Sequence, residues 1–561
     1  MIVFSGKYRK IELFIKAQEK GESLLRLFEG ECEIFRFYPK TSDYQRVAIP
    51  LKTEEEYRIC IEHATVSQMY LCGNDDILET GIKYLMINGE NMEMFHVDGV
   101  MDTPIREQYH FTPFVNWSND PNGLCWYKGY YHLFYQSNPH EQKWGRMYWG
   151  HAASRDLIHW KHLPFALDPQ KEVLESELLT GGAFSGSAIS MEDGIRLFFT
   201  RDVEQIGDSG SIRQSQATAW SRDGVSFGEE QEILPALSLQ GTDVNFRDPK
   251  VFLLDGKWYM ALAANYCGKA AALLYSSGDL RQWTFTGPLL QLEDPDIPSL
   301  ECPDFFPLGD DYVLLVSVMD VKVQYGAKQP VNYYVGEWKG EKFRASCEGV
   351  CDFGENFYAA QTFEHAGRRI LFGWICDWQK EHEIEKHGAY GSMTIPRVLS
   401  TKEHRLYQTP ASEVYNLLGE ILVEKEQCAR VELEIPGNSY YSSISFSEET
   451  SFEILLAEDG EDFLKLVGCD GVLELISTRM GNRPVKFVAK TKRIRKIEIF
   501  MDRRVVEIYV NDGEAVGTKL FVNHSKRGIF EASFADALNV TQVLVRQMEA
   551  IWKNMLCAQK D

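Results

Sequence analysis

Val251-Phe252-Leu253-Leu254-Asp255-Gly256-Lys257-Trp258-Tyr259-Met260-Ala261-Leu262-Ala263 reads as two short strands joined at Asp255-Gly256. Apolar and aromatic residues lead into the turn and away from it, and the glycine supplies the positive φ that a tight hairpin turn needs. The pattern recurs on both sides. Residues 124–135 turn at Lys128-Gly129, 187–200 at Asp193-Gly194, 305–317 near Gly309-Asp310-Asp311 and 362–375 at Ala366-Gly367. The hairpins return roughly every 55–65 residues, the length of chain that a four-stranded blade with long loops occupies. An ordinary β-sandwich accommodates regular hairpins as well, but even spacing over about 250 residues favours a five-bladed β-propeller.

Period-2 alternation continues outside this region. Strand-like runs at 10–17, 24–38, 57–70 and 82–97, the last turning at Asn88-Gly89, suggest a small antiparallel β domain. Beyond Pro410, short strands at 429–433, 442–446, 452–457, 494–501 and 505–510, with a turn at Asn511-Asp512-Gly513, suggest a sandwich. Residues 541–557 suit a helix by composition and a closing strand by the placing of Val543, Val545 and Met548. The expected fold is all-β: a small N-terminal β domain (1–105), a five-bladed β-propeller (106–405), a linker (406–420) and a C-terminal β-sandwich (421–561).

Composition narrows the function. The chain has 561 residues, 44% hydrophobic and 25% charged, enough for several cores. A net charge of -23 and a pI near 5.1 argue against nucleic acid and anionic membranes as partners. Aromatics at 12% suit sugar faces and β-rich cores alike. The N-terminus has no apolar stretch after a basic start, and no run of 18 apolar residues occurs, so a cytoplasmic protein is expected. The 12 Cys form no CxxC pair; reduced, buried thiols are the expectation, with no metal site and no cofactor. The sequon Asn116-Trp117-Ser118 abuts an acidic motif, where a glycan would block access, so it reads as accidental.

Immediately before or at the start of the five hairpins stand Asp120, Phe184-Ser185, Arg247-Asp248, Glu301 and Tyr358. In a propeller the innermost strands start at one end of the axis, so these residues would ring one mouth. Three carboxylates there suit glycoside hydrolysis, which needs one carboxylate at the anomeric carbon and one carboxylic acid at the leaving oxygen. A third can hold hydroxyls and favour the developing positive charge. Crowding raises at least one pKa, and Arg247 beside Asp248 is expected to keep that acid ionised. His151 and His159 read as structural hydrogen-bonders.

The motifs resemble glycoside hydrolase family 32, the invertase, fructanase and sucrose-6-phosphate hydrolase family. They run from His110-Phe111-Thr112-Pro113 and Trp117-Ser118-Asn119-Asp120-Pro121-Asn122-Gly123 through Phe134-Tyr135-Gln136, Trp144-Gly145 and Trp149-Gly150-His151-Ala152. Phe184-Ser185-Gly186-Ser187, Phe246-Arg247-Asp248-Pro249, Glu301-Cys302-Pro303, Phe357-Tyr358-Ala359 and Gly373-Trp374 follow. The resemblance implies Asp120 as nucleophile, Glu301 as acid–base residue and Asp248 as the stabiliser gripping two furanose hydroxyls. It implies Asn119, Gln136, Ser185 and Arg247 as a polar cage, Trp144, Phe184 and Trp374 as apolar walls, and Tyr358 beside the acid. Retention is implied, with the two reacting carboxyls roughly 5–5.5 Å apart. Residues 1–105 match nothing in the usual family pattern, and Asn356 stands where an acid is expected, leaving the leaving-group subsite open.

The expected activity is a retaining β-fructofuranosidase on sucrose and short fructo-oligosaccharides. Fructosyl transfer and sucrose-6-phosphate hydrolysis use the same scaffold, and a fructan-binding protein with a dead site is the non-enzyme alternative. The N-terminal or C-terminal β domain is expected to pair copies of the chain into a homo-oligomer.

Overall fold

The computed structural model describes residues 1–18, 23–40, 43–85, 101–319, 321–323, 326–377, 388–478, 483–524 and 527–552. Strands dominate them, and no described helix is long and apolar enough to cross a membrane.

Residues 116–410 form five successive sheets, each built on an antiparallel run of four strands; the two-residue strands Ala389–Tyr390, parallel to its neighbour, and Ser392–Met393 add to the first and the fifth. Sheet I comprises Asn116–Tyr127, Tyr130–Asn138, Tyr148–Ser154 and Trp160–Leu167. Sheets II, III, IV and V open with Leu179–Met191, Thr242–Leu254, Leu300–Leu308 and Tyr358–His365. Each opening strand packs against the next, and that of sheet V packs against that of sheet I. The five expected hairpins are the first two strands of each sheet.

The functional motifs lie inside the opening strands, not ahead of them, because the strands extend further than the hydrophobic pattern reveals. Each opening strand carries a bulge at its motif. Register slips beside Asn119-Asp120, at Ser185, at Asp248-Pro249, at Cys302-Pro303 and at Ala359-Ala360. Asp248, Cys302 and Ala359 take positive φ of 64°, 47° and 50°. A bulge turns side chains out of the alternating pattern and sharpens the local twist, so each strand aims its motif into the shared centre. Pro121, Pro249 and Pro303 sit at or beside these irregularities, where a missing backbone N–H costs no ladder bond.

Two four-stranded sheets precede this region and share a core that includes Leu13, Leu25, Leu27, Tyr57, Ile59 and Leu71. The expected run 24–38 is a hairpin, Leu24–Glu29 and Cys32–Phe37. The run 57–70 is two strands, Glu56–Glu62 and Ala64–Cys72, placed in different sheets because His63 between them adopts φ 50° and turns the chain. Of 82–97, only Lys83–Tyr84 is a described strand, and Asn88-Gly89 lies outside the described residues.

Residues 418–548 form two six-stranded antiparallel sheets over one core, including Ile444, Ile454, Leu466, Ile499, Ile508, Phe530 and Val543. Val540–Met548 is a strand, paired on both sides, so the helical reading is replaced by the closing-strand one. All eleven described Cys are free; Cys32, Cys267 and Cys469 are exposed, which corrects the expectation of uniformly buried thiols.

The five sheets meet the C-terminal pair through buried charge. The Asp502 carboxylate accepts hydrogen bonds from the backbone N–H groups of Gln108, Tyr109 and His110 and bonds His110 Nδ1 at 2.8 Å. His110 Nε2 lies 3.0 Å from Glu507, which also receives Arg397. Arg397 reaches Asp352 as well, and Asp352 is held by Thr518.

Candidate active site

Asp120 sits in the bulge of sheet I. Ser185 Oγ of sheet II donates to its Oδ2 at 2.6 Å, and Asn119 Nδ2 donates to its Oδ1 at 3.1 Å. Trp117 Nε1 in turn donates to Asn119 Oδ1 at 2.7 Å, which fixes the amide's orientation. Burial pushes the Asp120 carboxyl above its ordinary range, the Glu301 charge adds to this, and the Ser185 and Asn119 hydrogen bonds oppose it.

Glu301, in sheet IV, is held from two sides. Arg247 of sheet III donates through Nε to Oε1 at 3.0 Å, and Tyr358 of sheet V donates its hydroxyl to Oε2 at 2.7 Å. Asp248 accepts the backbone N–H of Cys302 at 2.9 Å, while its own N–H donates to Thr200 Oγ1. The Cys302 sulfur stands between the acids, 3.8 Å from Asp120 Oδ2 and 3.7 Å from Asp248 Oδ2. The three carboxylates, from three different sheets, thus gather around one point.

Arg247 does not behave as its sequence position suggests. The bulge at Asp248-Pro249 breaks the regular alternation, and the guanidinium turns to Glu301, Asn245 and Gln214 rather than bonding to Asp248. Burial wins at Asp248: its carboxyl is pushed well above the usual range despite the Arg247 charge, with Glu301 and Asp120 adding to the rise. The expectation that Arg247 keeps this acid ionised is therefore corrected.

The remaining expected residues contact neighbouring strands and one another. Gln136 is buried and donates to the Ala183 carbonyl at 2.8 Å, tying sheet I to sheet II. Phe184 meets Trp144 edge to face at 5.9 Å, and Trp144, 46% exposed, is the most open wall. Trp374 pairs in register with Tyr358 and packs against Trp117. Asn356 stands apart: its amide bonds the Cys376 carbonyl, the Leu520 N–H and Lys519, so it joins sheet V to the C-terminal sheets rather than facing the acids. His151 is a buried partner of His132, and His159 pairs with Asp156.

Two residues were missed. Cys302 had no charge or hydroxyl to mark it, although it is the bulge residue of its motif. Lys250 lies below the acids, where Nζ donates to Asp304 at 2.9 Å, Gln361 at 3.0 Å and the Thr362 carbonyl at 2.6 Å. No sequence signal marked it, because the bulge at Asp248-Pro249 breaks the alternation by which a lysine near Asp248 could be assigned to a face.

Known proteins are similar to this chain over most of its length. The family described as Glycosyl hydrolases family 32 N-terminal domain matches residues 110–410. A sucrose-6-phosphate hydrolase of Zymomonas mobilis is 31% identical, covering 73% of this chain and 84% of its own. A levanase of Bacillus subtilis is 30% identical, covering 80% of this chain and 71% of its own. A solved family 32 structure from Bifidobacterium adolescentis has a TM-score of 0.91 at 28% identity, covering 98% of this chain and 99% of that one. The likeness therefore includes the N-terminal sheets that the motifs left unmatched. This chain is a glycoside hydrolase and belongs to glycosyl hydrolase family 32.

Proposed function

We propose that the chain is a retaining β-fructofuranosidase acting on terminal fructose of sucrose and short fructo-oligosaccharides. The observation that carries this reading is the asymmetric hydrogen bonding of the acids. Asp120 receives two neutral hydrogen bonds, whereas Glu301 is gripped by an arginine and a tyrosine. Asp120 attacks the anomeric carbon while Glu301 gives its proton to the leaving oxygen, forming a fructosyl ester. Glu301 then takes a proton from water, which cleaves the ester and frees Asp120. Asp248 holds furanose hydroxyls as positive charge develops. Asn119, Gln136, Ser185 and Arg247 form the polar cage, with Trp144, Phe184 and Trp374 as its walls.

In this reading the five sheets are the blades of a β-propeller that runs to Pro410, past the expected boundary at 405, because Arg405–Pro410 is the last strand of sheet V. A link of 411–417, shorter than the expected 406–420, leads to a β-sandwich that opens with Leu418–Lys425, and 1–105 is a separate β domain. The cyclic packing of the opening strands supports the closure.

Glucose release from sucrose tests the activity. Wild type is expected to turn over, and Asp120→Asn to lose at least about a thousandfold in kcat. A wild type inert on sucrose, inulin and levan fragments would sink the reading. A second substrate, sucrose 6-phosphate, is favoured by the name of the Zymomonas relative. Comparing kcat/KM for the two sugars decides between them.

A further inference from the structure

The loop between the second and third strands of sheet I, residues 139–147, carries Trp144. Its inner side is bonded to the site. The Trp117 N–H donates to the Glu141 carbonyl at 3.2 Å, and Asn116 Nδ2 donates to the Pro139 carbonyl at 2.7 Å. Trp117 leads on through Asn119 to Asp120. Its outer side is covered by the N-terminal sheets. Ser67 Oγ is hydrogen-bonded to His140 Nδ1 at 2.8 Å, and Gln68 Nε2 donates to the Pro139 carbonyl at 3.2 Å. The Tyr44 ring stacks on His140 at 4.2 Å and 11°, and Phe14 meets His140 edge-on. Asp43 pairs with Arg146, whose other prong donates to the Ser176 and Leu179 carbonyls at 2.7 Å.

Nothing in the chemistry of the acids requires these contacts, yet they converge on one loop. His140 is the centre of the arrangement. Its second nitrogen lies 3.2 Å from the Tyr148 hydroxyl. Desolvation, with the Lys16 and Arg146 charges adding to it, holds the imidazole down to about 3, so it keeps one donor and one acceptor at working pH. Asn138 Nδ2 ties the loop to the strand before it by donating to the Lys143 carbonyl at 2.9 Å.

We propose that Asp43, Tyr44 and Ser67 are positioning residues for the active site. The N-terminal β domain holds the 139–147 loop so that Trp144 walls the sugar pocket and Trp117 keeps Asn119 turned toward Asp120. The domain is thereby a working part of the site and sets how tightly substrate is bound. The substrate part of this inference rests on the fructofuranosidase reading; the clamp itself does not.

Full-length Tyr44→Ala and Ser67→Ala test it, with Tyr44→Phe, which keeps the stacked ring, as the control. Hydrogen exchange is read first. Both alanine variants are expected to exchange faster at 139–147 and at Trp117, with Tyr44→Phe like wild type. Kinetics follow, with KM for sucrose expected to rise about fivefold while kcat stays within about twofold. In a Trp144→Ala background, Tyr44→Ala is expected to add little to KM, since both act through one ring. Unchanged exchange overturns the clamp whatever the substrate proves to be. Faster exchange with unchanged KM, or a Tyr44→Ala effect that persists in full without Trp144, overturns the positioning role. An enzyme inert on sucrose counts against the substrate reading, and the exchange result still decides the clamp.

Discussion

Asp120 illustrates how a side chain's job is set by its neighbours. Burial and the Glu301 charge raise its pKa, and the Ser185 hydroxyl opposes them. A nucleophile must be ionised, so activity falls as pH drops through this raised value. Ser185→Ala removes an opposing hydrogen bond. The acid limb of kcat/KM is expected to move up by about half a pH unit or more, measured from pH 4 to 8. The three acids and Ser185 were legible in the sequence because each stands at the same place in a repeat. The partners of Arg247 and Asn356 were not. Sequence adjacency suggested that Arg247 serves Asp248, but the bulge at Asp248 turns the two side chains to different partners. Asn356 lies two residues before Tyr358 yet bonds the Leu520 N–H across the junction.

At the scale of elements, the five hairpins were legible from alternation and from Gly-containing turns. The bulges were not, because register is set by pairing between strands and leaves no period in one strand. Pro121, Pro249 and Pro303 were the clue, since proline inside a central strand marks an irregularity. The same limit hid Lys250, which ties the opening strands of sheets III, IV and V through Asp304, Gln361 and Thr362. Removing it strands a buried carboxylate. Lys250→Met is expected to cost about 3–5 kcal/mol in denaturant unfolding. Lys250→Met with Asp304→Leu is expected to recover part of that loss.

At the scale of the molecule, stability depends on a junction that is ionic and dry. The Asp502 and Glu507 carboxylates, overcoming burial, raise His110 to about 9. That contribution is fully present below about pH 6.5 and is lost as pH rises through 9. Arg397 and His110 hold Glu507 down to about 2, overcoming its burial, so its contribution is present above about 4.5 and lost as pH falls through 2. Thermal unfolding is expected to be most favourable to the native state between these limits. Asp502→Asn is expected to lower stability by about 3 kcal/mol and to flatten the alkaline decline. None of this was legible beforehand. His110 was only the first letter of a motif, and its partners lie 392 and 397 residues away.

That separation has a consequence for biosynthesis. The His110 segment leaves the ribosome long before Asp502 is translated. At about 5–20 residues per second, those 392 residues take roughly 20–80 s. Throughout that interval the three N–H groups of 108–110 lack their carboxylate, and the five sheets must wait for a seal translated much later. The nascent protein is therefore expected to mature only after Asp502 and Glu507 have emerged, as a late closure, with chaperones engaging the open ring until then.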